Sequence, residues 1–389
     1  MSSNHKYVRA LPAYMIISLA LSASCLSQNA APAQNNNVIS KDGTEHFPAF
    51  DLPLSSYMSE SAKRGFLLHS LVIPEFDQGD ALKDARAQRT WVDENFHKPL
   101  LERAKATYRV KIESTTIAGV HADVVTPKDT ERDRSQVLIN LHGGGFVMGA
   151  GMGGLIESIP IADVGKIKVI SVDYRQGPEY RFPAASEDVA AVYRELLKSY
   201  RPKNIGIYGC SAGGILTAMS MAWFQKEKLP NPGAIGIFCA ADASMGGDSR
   251  FISADPSDIP PPKPNPPPMI GDPYLSNVDP NDPLVSPVRH PDILKRFPPT
   301  LFITGTRDPF MSSVLYMHTQ LVKVGVTAEL HVWDGMWHAF FMRVDMAESK
   351  ETYATIVNFF DKYLGHPASS PSKRPAQRVS ASSTVLSRK

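Results

Sequence analysis

The chain has 389 residues, 43% of them hydrophobic and 21% charged, enough to bury a substantial core in one large domain. Its net charge of +2 at pH 7, with no Lys/Arg cluster in the interior, gives no basis for nucleic-acid binding and leaves a small molecule as the better-fitting partner. The three cysteines share no zinc-site spacing with a histidine, so neither a metal nor a cofactor is indicated.

At the N-terminus, Lys6 and Arg9 precede an apolar run from Leu11 to Ala23 and then small residues, the order of a secretory signal peptide; the run is short for a membrane span. The expectation is an exported protein, periplasmic or extracellular, with a signal peptide over residues 1–24. Cys25 follows Ser22-Ala23-Ser24, which resembles a bacterial lipoprotein cleavage box with Ser22 where an aliphatic residue is usual. A lipid anchor at Cys25 and an ordinary cleavage site are both open. Residues 25–50, rich in Asn, Ala, Gln and Pro, read as a linker.

Between Asp51 and Tyr108, apolar residues such as Trp91, Phe96, Leu100, Leu101 and Ala104 recur at helical spacing, which predicts a helical lead-in able to serve as a lid. From Tyr108 to Val125, β-branched residues alternate around Ala118-Gly119, the pattern of a hairpin at a sheet edge. Short apolar runs then follow at Val137–Leu141, Val169–Val172, Ile205–Tyr208, Ala234–Cys239, Thr300–Thr304 and Ala328–Trp333, with helical patterns between most of them. Val189, Val192, Leu196 and Leu197 form one such helical stripe; Tyr353, Ile356, Val357, Phe360, Tyr363 and Leu364 form another. This alternation predicts an α/β domain over residues 51–365, a mostly parallel sheet flanked by helices, with ligands beyond the carboxyl ends of the strands. Pro256 to Pro283 carries too many prolines for helix or central strand and reads as an insertion that walls the pocket or as a surface excursion. The tail at 366–389, without acidic residues, is expected to be disordered.

The chemistry-bearing stretch is Gly209-Cys210-Ser211-Ala212-Gly213-Gly214, placed between a strand and a helix. This is the sequence form of a sharp turn that projects a serine hydroxyl, and the glycines allow strand and helix to approach closely. Ser211 is the candidate nucleophile. His142-Gly143-Gly144-Gly145-Phe146, also after a strand, offers uncovered amides that can join the amide of Ala212 in an oxyanion hole, with His142 orienting the loop. A histidine must take the serine proton near neutral pH, and His338, in the loop after the last strand, has the right context; His318 and His331 sit inside elements. The acid that orients it is Asp308, with Asp242 and Asp334 as competitors, the latter read as a turn residue before Gly335. Cys210 and Cys239 read as buried thiols, with a disulfide between them left open.

Taken together, His142-Gly-Gly-Gly-Phe-Val, Asp173-Tyr-Arg, Pro178-Glu179, Phe182-Pro-Ala, Gly209-Cys-Ser-Ala-Gly-Gly, Asp282-Pro-Leu-Val-Ser-Pro and Gly335-Met-Trp-His resemble, in order, the hormone-sensitive lipase family of α/β-hydrolases. The resemblance runs from about Val137 to Leu364. It implies the α/β-hydrolase fold with an N-terminal helical lid, a catalytic triad of Ser211, Asp308 and His338, and oxyanion donors at Gly144, Gly145 and Ala212 with Gly143 supporting the turn. It implies cleavage of small-molecule carboxylic esters of short to medium acyl chain without a cofactor. A lactonase, amidase or peptidase of the same fold, or a binding protein on this scaffold, are the alternatives, and a homodimer is allowed. Cys210 departs from the family, which has an aspartate there.

Overall fold

The computed structural model describes residues 38–47, 50–72, 85–128, 135–244, 246–253, 255 and 273–365. The signal-peptide stretch, Cys25, most of the proline-rich insertion and the tail lie outside the described residues. The chain divides into a unit Met1–Leu52 and a unit Pro53–Lys389. In the first, β1 (Val38–Ile39) pairs with β2 (Glu45–His46) in a two-residue antiparallel ladder, a small departure from the expected linker.

The larger unit is built on an eight-stranded sheet. Its strands are β3 (Val110–Ile117), β4 (Val120–Pro127), β5 (Val137–Leu141), β6 (Lys168–Val172), β7 (Ile205–Cys210), β8 (Ala234–Phe238), β9 (Thr300–Arg307) and β10 (Ala328–Trp337), in the order β10-β9-β8-β7-β5-β6-β4-β3. From β10 to β6 every pairing is parallel; β4 runs antiparallel to both β6 and β3. The hairpin predicted around Ala118-Gly119 thus forms the sheet edge, its two turn residues at φ 51° and 85°.

The central strands are almost wholly buried and largely apolar because both faces are covered, Asn140 and Ser171 being buried polar exceptions. In β5, Val137, Ile139 and Leu141 join one core cluster, with helices Ala184–Leu196 and Ala212–Lys226, while Leu138 joins the other, with helices Met152–Gly165 and Ala347–Tyr363. Helix Met152–Gly165, like helix Ala212–Lys226, is buried around nearly its whole circumference and so lacks a polar face.

Three strands run further than their apolar cores predict, among them β9, which continues past Thr304 to Arg307, next to Asp308. β7 continues through Gly209 to Cys210, directly up to Ser211. β10 continues to Trp337 across a register irregularity after Trp333, where Asp334 and Gly335 (φ 75°) are accommodated in a bulge rather than a simple turn.

Glycine is required where β7 meets the helix that follows. A Cβ on Gly213 would lie 1.7 Å from the carbonyl oxygen of Leu141, in backbone that cannot step aside. Gly119, at φ 85°, has open space around it. Gly213→Ala is therefore expected to cost about 3 kcal/mol, the upper end for overpacking, and Gly119→Ala only about 1 kcal/mol of backbone strain. Thermal melts of the two variants check this; equal midpoints would contradict it.

Candidate active site

Ser211 occupies the single residue between β7 and helix Ala212–Lys226, at φ 58° and ψ −122°. Its amide donates to the carbonyl of Phe238 at 2.8 Å, tying the turn to the neighbouring strand. The helix beyond it opens with no side-chain cap, so its positive end lies beside the serine.

His338 follows the end of β10, and Asp308 follows β9, the next strand in the sheet. The two meet through a 2.9 Å hydrogen bond from His338 Nδ1 to Asp308 Oδ1. Asp308 is wholly buried and is itself fixed by the Phe310 amide (2.9 Å) and the Thr304 hydroxyl (3.1 Å). Burial disfavours a charge on His338, but the adjacent Asp308 carboxylate outweighs it and raises the imidazole to about 9. The edge of Phe310 packs on the His338 ring at 5.0 Å, and the His338 amide donates to Asp255 at 3.1 Å.

Neither competing aspartate bonds to His338. Asp242 is buried, accepts from the Ser244 amide at 3.3 Å, and has its carboxyl raised by burial. Asp334 is exposed and accepts from the hydroxyls of Ser55 and Thr306. His318 packs against Phe302 from helix Met311–Lys323, and His331 stacks with Trp333 within β10.

The His142–Gly145 loop is held from below. His142 Nδ1 donates to the carbonyl of Gly143 at 2.7 Å, and its ring stacks on Tyr174 at 4.2 Å, whose hydroxyl donates to the carbonyl of His142. The Gly143 amide donates to Glu157 Oε1 at 2.9 Å. This corrects the grouping of Gly143 with the oxyanion residues: its N–H is already used, which leaves it the role of turn support. Among the described residues, the amides of Gly144, Gly145 and Ala212 have no backbone acceptor outside regular elements. Gly144 sits at φ 108° with the Met148 carbonyl 2.2 Å from where a Cβ would stand.

Glu157 escaped sequence reasoning, although an acid in the apolar stretch of Met152–Gly165 was a visible signal. It is 5% exposed and also accepts from Asn140 at 3.0 Å; burial raises its carboxyl to about 7 against those hydrogen bonds. Arg89 was missed as well. From helix Ala85–Val92 it donates to the carbonyls of Val147 and Gly177, both at 2.6 Å, and pairs with Glu179, lowering that carboxyl to about 2.

Ser211 and His338 open on one cavity of about 260 Å³. Gly144, Glu157 and Cys210 line one part of it, and Trp91, Phe96, Leu100, Trp337 and Met342 give it an apolar wall. Helices Glu60–Val72, Ala85–Val92 and Lys98–Thr107 supply part of that wall, with a π-helical turn at Asp93–His97 presenting Phe96 and His97. No described residue of the proline-rich insertion lines the cavity; instead Tyr274 stacks on Phe146 at 5.0 Å and props the far side of the His142 loop.

Cys210 and Cys239 are free and buried, and burial pushes the Cys210 thiol well above its ordinary value, which favours an inert thiol over a thiolate. Cys239, Asp308 and His338 have ligand atoms within 4.8 Å of one another, an S/O/N set of the kinds zinc accepts. Two of the three are already bonded to each other, so a metal there would replace the His338–Asp308 pair.

A mostly parallel sheet with this turn at the end of a central strand is the architecture of an α/β-hydrolase, and a family profile described as alpha/beta hydrolase fold matches residues 138–342. The chain belongs to that family, in its hormone-sensitive lipase branch, and is an ester-cleaving, carboxylesterase-like hydrolase. It is 29% identical over 233 residues to the acetyl-hydrolase of Streptomyces hygroscopicus, covering 58% of this chain and 74% of that protein. The crystal structure of esterase E25 superposes with a TM-score of 0.71 at 29% identity, over 82% of this chain and 99% of that one. An esterase of the bacterial hormone-sensitive lipase family gives 0.65 at 26% identity, over 79% and 99%.

The raised imidazole sets the sign of the pH dependence. Only neutral imidazole can accept the serine proton, so kcat/KM is expected to fall as pH drops through the His338 value of about 9. Glu157 titrates lower, at about 7, so the limb above that pH reports His338. Asp308→Asn should move this limb towards lower pH while reducing the plateau. A pH–kcat/KM profile on a neutral ester measures both; an unshifted limb in Asp308→Asn would contradict the assignment.

Proposed function

We propose that the hydrolysis runs through an acyl-enzyme on Ser211. His338 takes the Oγ proton as Ser211 attacks the ester carbonyl, and Asp308 holds the imidazole in the tautomer with Nε2 free. Negative charge on the carbonyl oxygen is met by the amides of Gly144, Gly145 and Ala212. The proton then passes from His338 to the leaving alkoxide, and a water activated by the same imidazole cleaves the acyl-enzyme and frees the acid. No cofactor enters this scheme. The observation that carries the reading is the 2.9 Å His338–Asp308 bond at the rim of the cavity that opens on Ser211.

Short to medium acyl groups suit a cavity of this size and apolar lining. In this reading helices Glu60–Val72, Ala85–Val92 and Lys98–Thr107 act as a lid, tied to the oxyanion loop through Arg89 and Val147. Ser211→Ala and His338→Ala are each expected to lower kcat by a factor on the order of 10⁴ to 10⁶, with Asp308→Asn costing less and circular dichroism unchanged. Steady-state assays on para-nitrophenyl esters decide; a Ser211→Ala variant with near-normal turnover would exclude Ser211 as nucleophile.

Export is part of the same proposal and rests on Lys6, Arg9 and the apolar run behind them. Mass spectrometry of the native protein should find a mature N-terminus near Ser24 or beyond. If Cys25 is the anchor, Cys25→Ala will release the protein from membranes. An intact Met1 form in the cytoplasm would contradict export.

A further inference from the structure

The cavity wall opposite the glycine loop is not wholly apolar. His69, on helix Glu60–Val72, and Arg343, just after the short turn Phe340–Met342, both line it, and the site chemistry described above uses neither. His69 is only 6% exposed; its ring lies 5.7 Å from both Trp337 and Phe96, and its nitrogens make no hydrogen bond among the described residues. Burial, then the charges of Arg343 and His338, push His69 down to about 3, so it meets the cavity as a neutral ring with one N–H to donate.

Arg343 keeps its charge, yet its Nε is buried without a partner. The nearest acid to act on it, Asp345, already pairs with Arg103 at 2.6 Å. Glu157, the one carboxylate that lines the cavity among the described residues, is held by Asn140 and Gly143 and does not offset Arg343. Arg343 is thus a partly buried cation in the cavity lining whose charge no lining acid offsets, and a charge-assisted bond from its guanidinium to a carboxylate is the strong form of hydrogen bond.

Building on the ester-cleaving site assigned above, we propose that the preferred substrate carries a free carboxylate besides its ester bond, and that Arg343, assisted by His69, receives it. The substrate class is thus an anionic ester. The carboxylate belongs either to the acyl half, as in a half-ester of a short dicarboxylic acid, or to the alcohol half, as in an acylated hydroxy acid. Arg343 is then a specificity determinant: it selects substrate and leaves the bond-breaking steps to Ser211 and His338.

Two matched pairs of esters test this. Para-nitrophenyl hemiglutarate against para-nitrophenyl pentanoate places the charge in the acyl half; meta-butanoyloxybenzoate against meta-butanoyloxybenzamide places it in the alcohol half. Each kcat/KM is divided by the second-order rate constant of the same ester with hydroxide, to remove intrinsic reactivity; the unimolecular attack of the hemiglutarate carboxylate on its own ester is kept out of that reference. The wild-type enzyme is expected to favour the anionic member of one pair by a factor on the order of 10 to 100, the worth of one charge-assisted bond. The pair that responds names the half that carries the charge.

In Arg343→Met the anionic-to-neutral ratio should fall to about one or below, with Arg343→Lys keeping part of the preference because the charge remains without the planar fork. Preference for the neutral member in both pairs overturns the proposal without any variant, so a misfolded Arg343→Met cannot protect it. An undiminished ratio in Arg343→Met overturns it too. Failure of the folded wild-type enzyme to cleave any of the four esters would instead strike at ester cleavage itself, and this inference would fall with it.

Discussion

The carbonyl oxygen of Leu141 stands 1.7 Å from where a side chain on Gly213 would begin and 2.3 Å from where one on Gly209 would begin. The end of β5, strand β7 and the helix after it can pack this closely only because both positions lack a Cβ, a Cβ on Gly209 also meeting the Gly213 carbonyl at 2.5 Å, and that closeness forces the chain to reverse within one residue. Ser211 is that residue, at a positive φ that a serine adopts only under such compulsion. Burial of helix Ala212–Lys226 on most of its surface offsets the strain. The outcome is a hydroxyl at the end of a central strand, beside the positive end of a helix and one residue from a backbone amide. Packing, local conformation and the proposed chemistry therefore depend on the same pair of glycines.

A second dependence is polar and buried. In the loop His142–Gly145 only His142 has a side chain that anchors it, through the Gly143 carbonyl and the Tyr174 ring, and the rest of its shape is imposed by neighbours: Glu157 on the Gly143 amide, Tyr174 on the His142 carbonyl, Arg89 on the Val147 carbonyl, and Tyr274 against Phe146. Glu157 is an expensive anchor, since burial raises its carboxyl to about 7 even against its hydrogen bonds. Its hydrogen bonds to Asn140 and Gly143 make it tolerable and at the same time hold the loop still. Cys210 brings no carboxylate to this site; the carboxylate beneath it comes from helix Met152–Gly165 instead.

Features encoded by adjacent residues were legible in the sequence. The strands of the parallel sheet, the edge hairpin and the glycine-flanked Ser211 each follow from a short pattern whose physical cause is local. Asp308 could be separated from Asp242 only in three dimensions, because each follows a strand and strand order alone decides which reaches His338. Helix Met152–Gly165 left no amphipathic stripe, since it is buried on nearly all sides, and with it Glu157 went unread. Arg89, His69 and Arg343 are distant in the chain from the residues they adjoin, and their charges look like ordinary surface charges until the fold encloses them. By composition alone Gly143 was indistinguishable from its neighbours in a run of three glycines; the resemblance set it apart as turn support, and the position of Glu157 supplies the reason, by engaging its amide.

The central claim is that the turn at Ser211 presents the nucleophile, with His338 as its base. Reaction with a para-nitrophenyl alkylphosphonate, followed by peptide mapping, tests it most directly, because the reagent is attacked by an activated serine and the adduct persists. The account predicts one phosphonate per chain, on the Ser211 peptide, formed in step with loss of esterase activity and strongly slowed in His338→Ala. Modification at another residue with activity lost, or full activity with Ser211 modified, would contradict it.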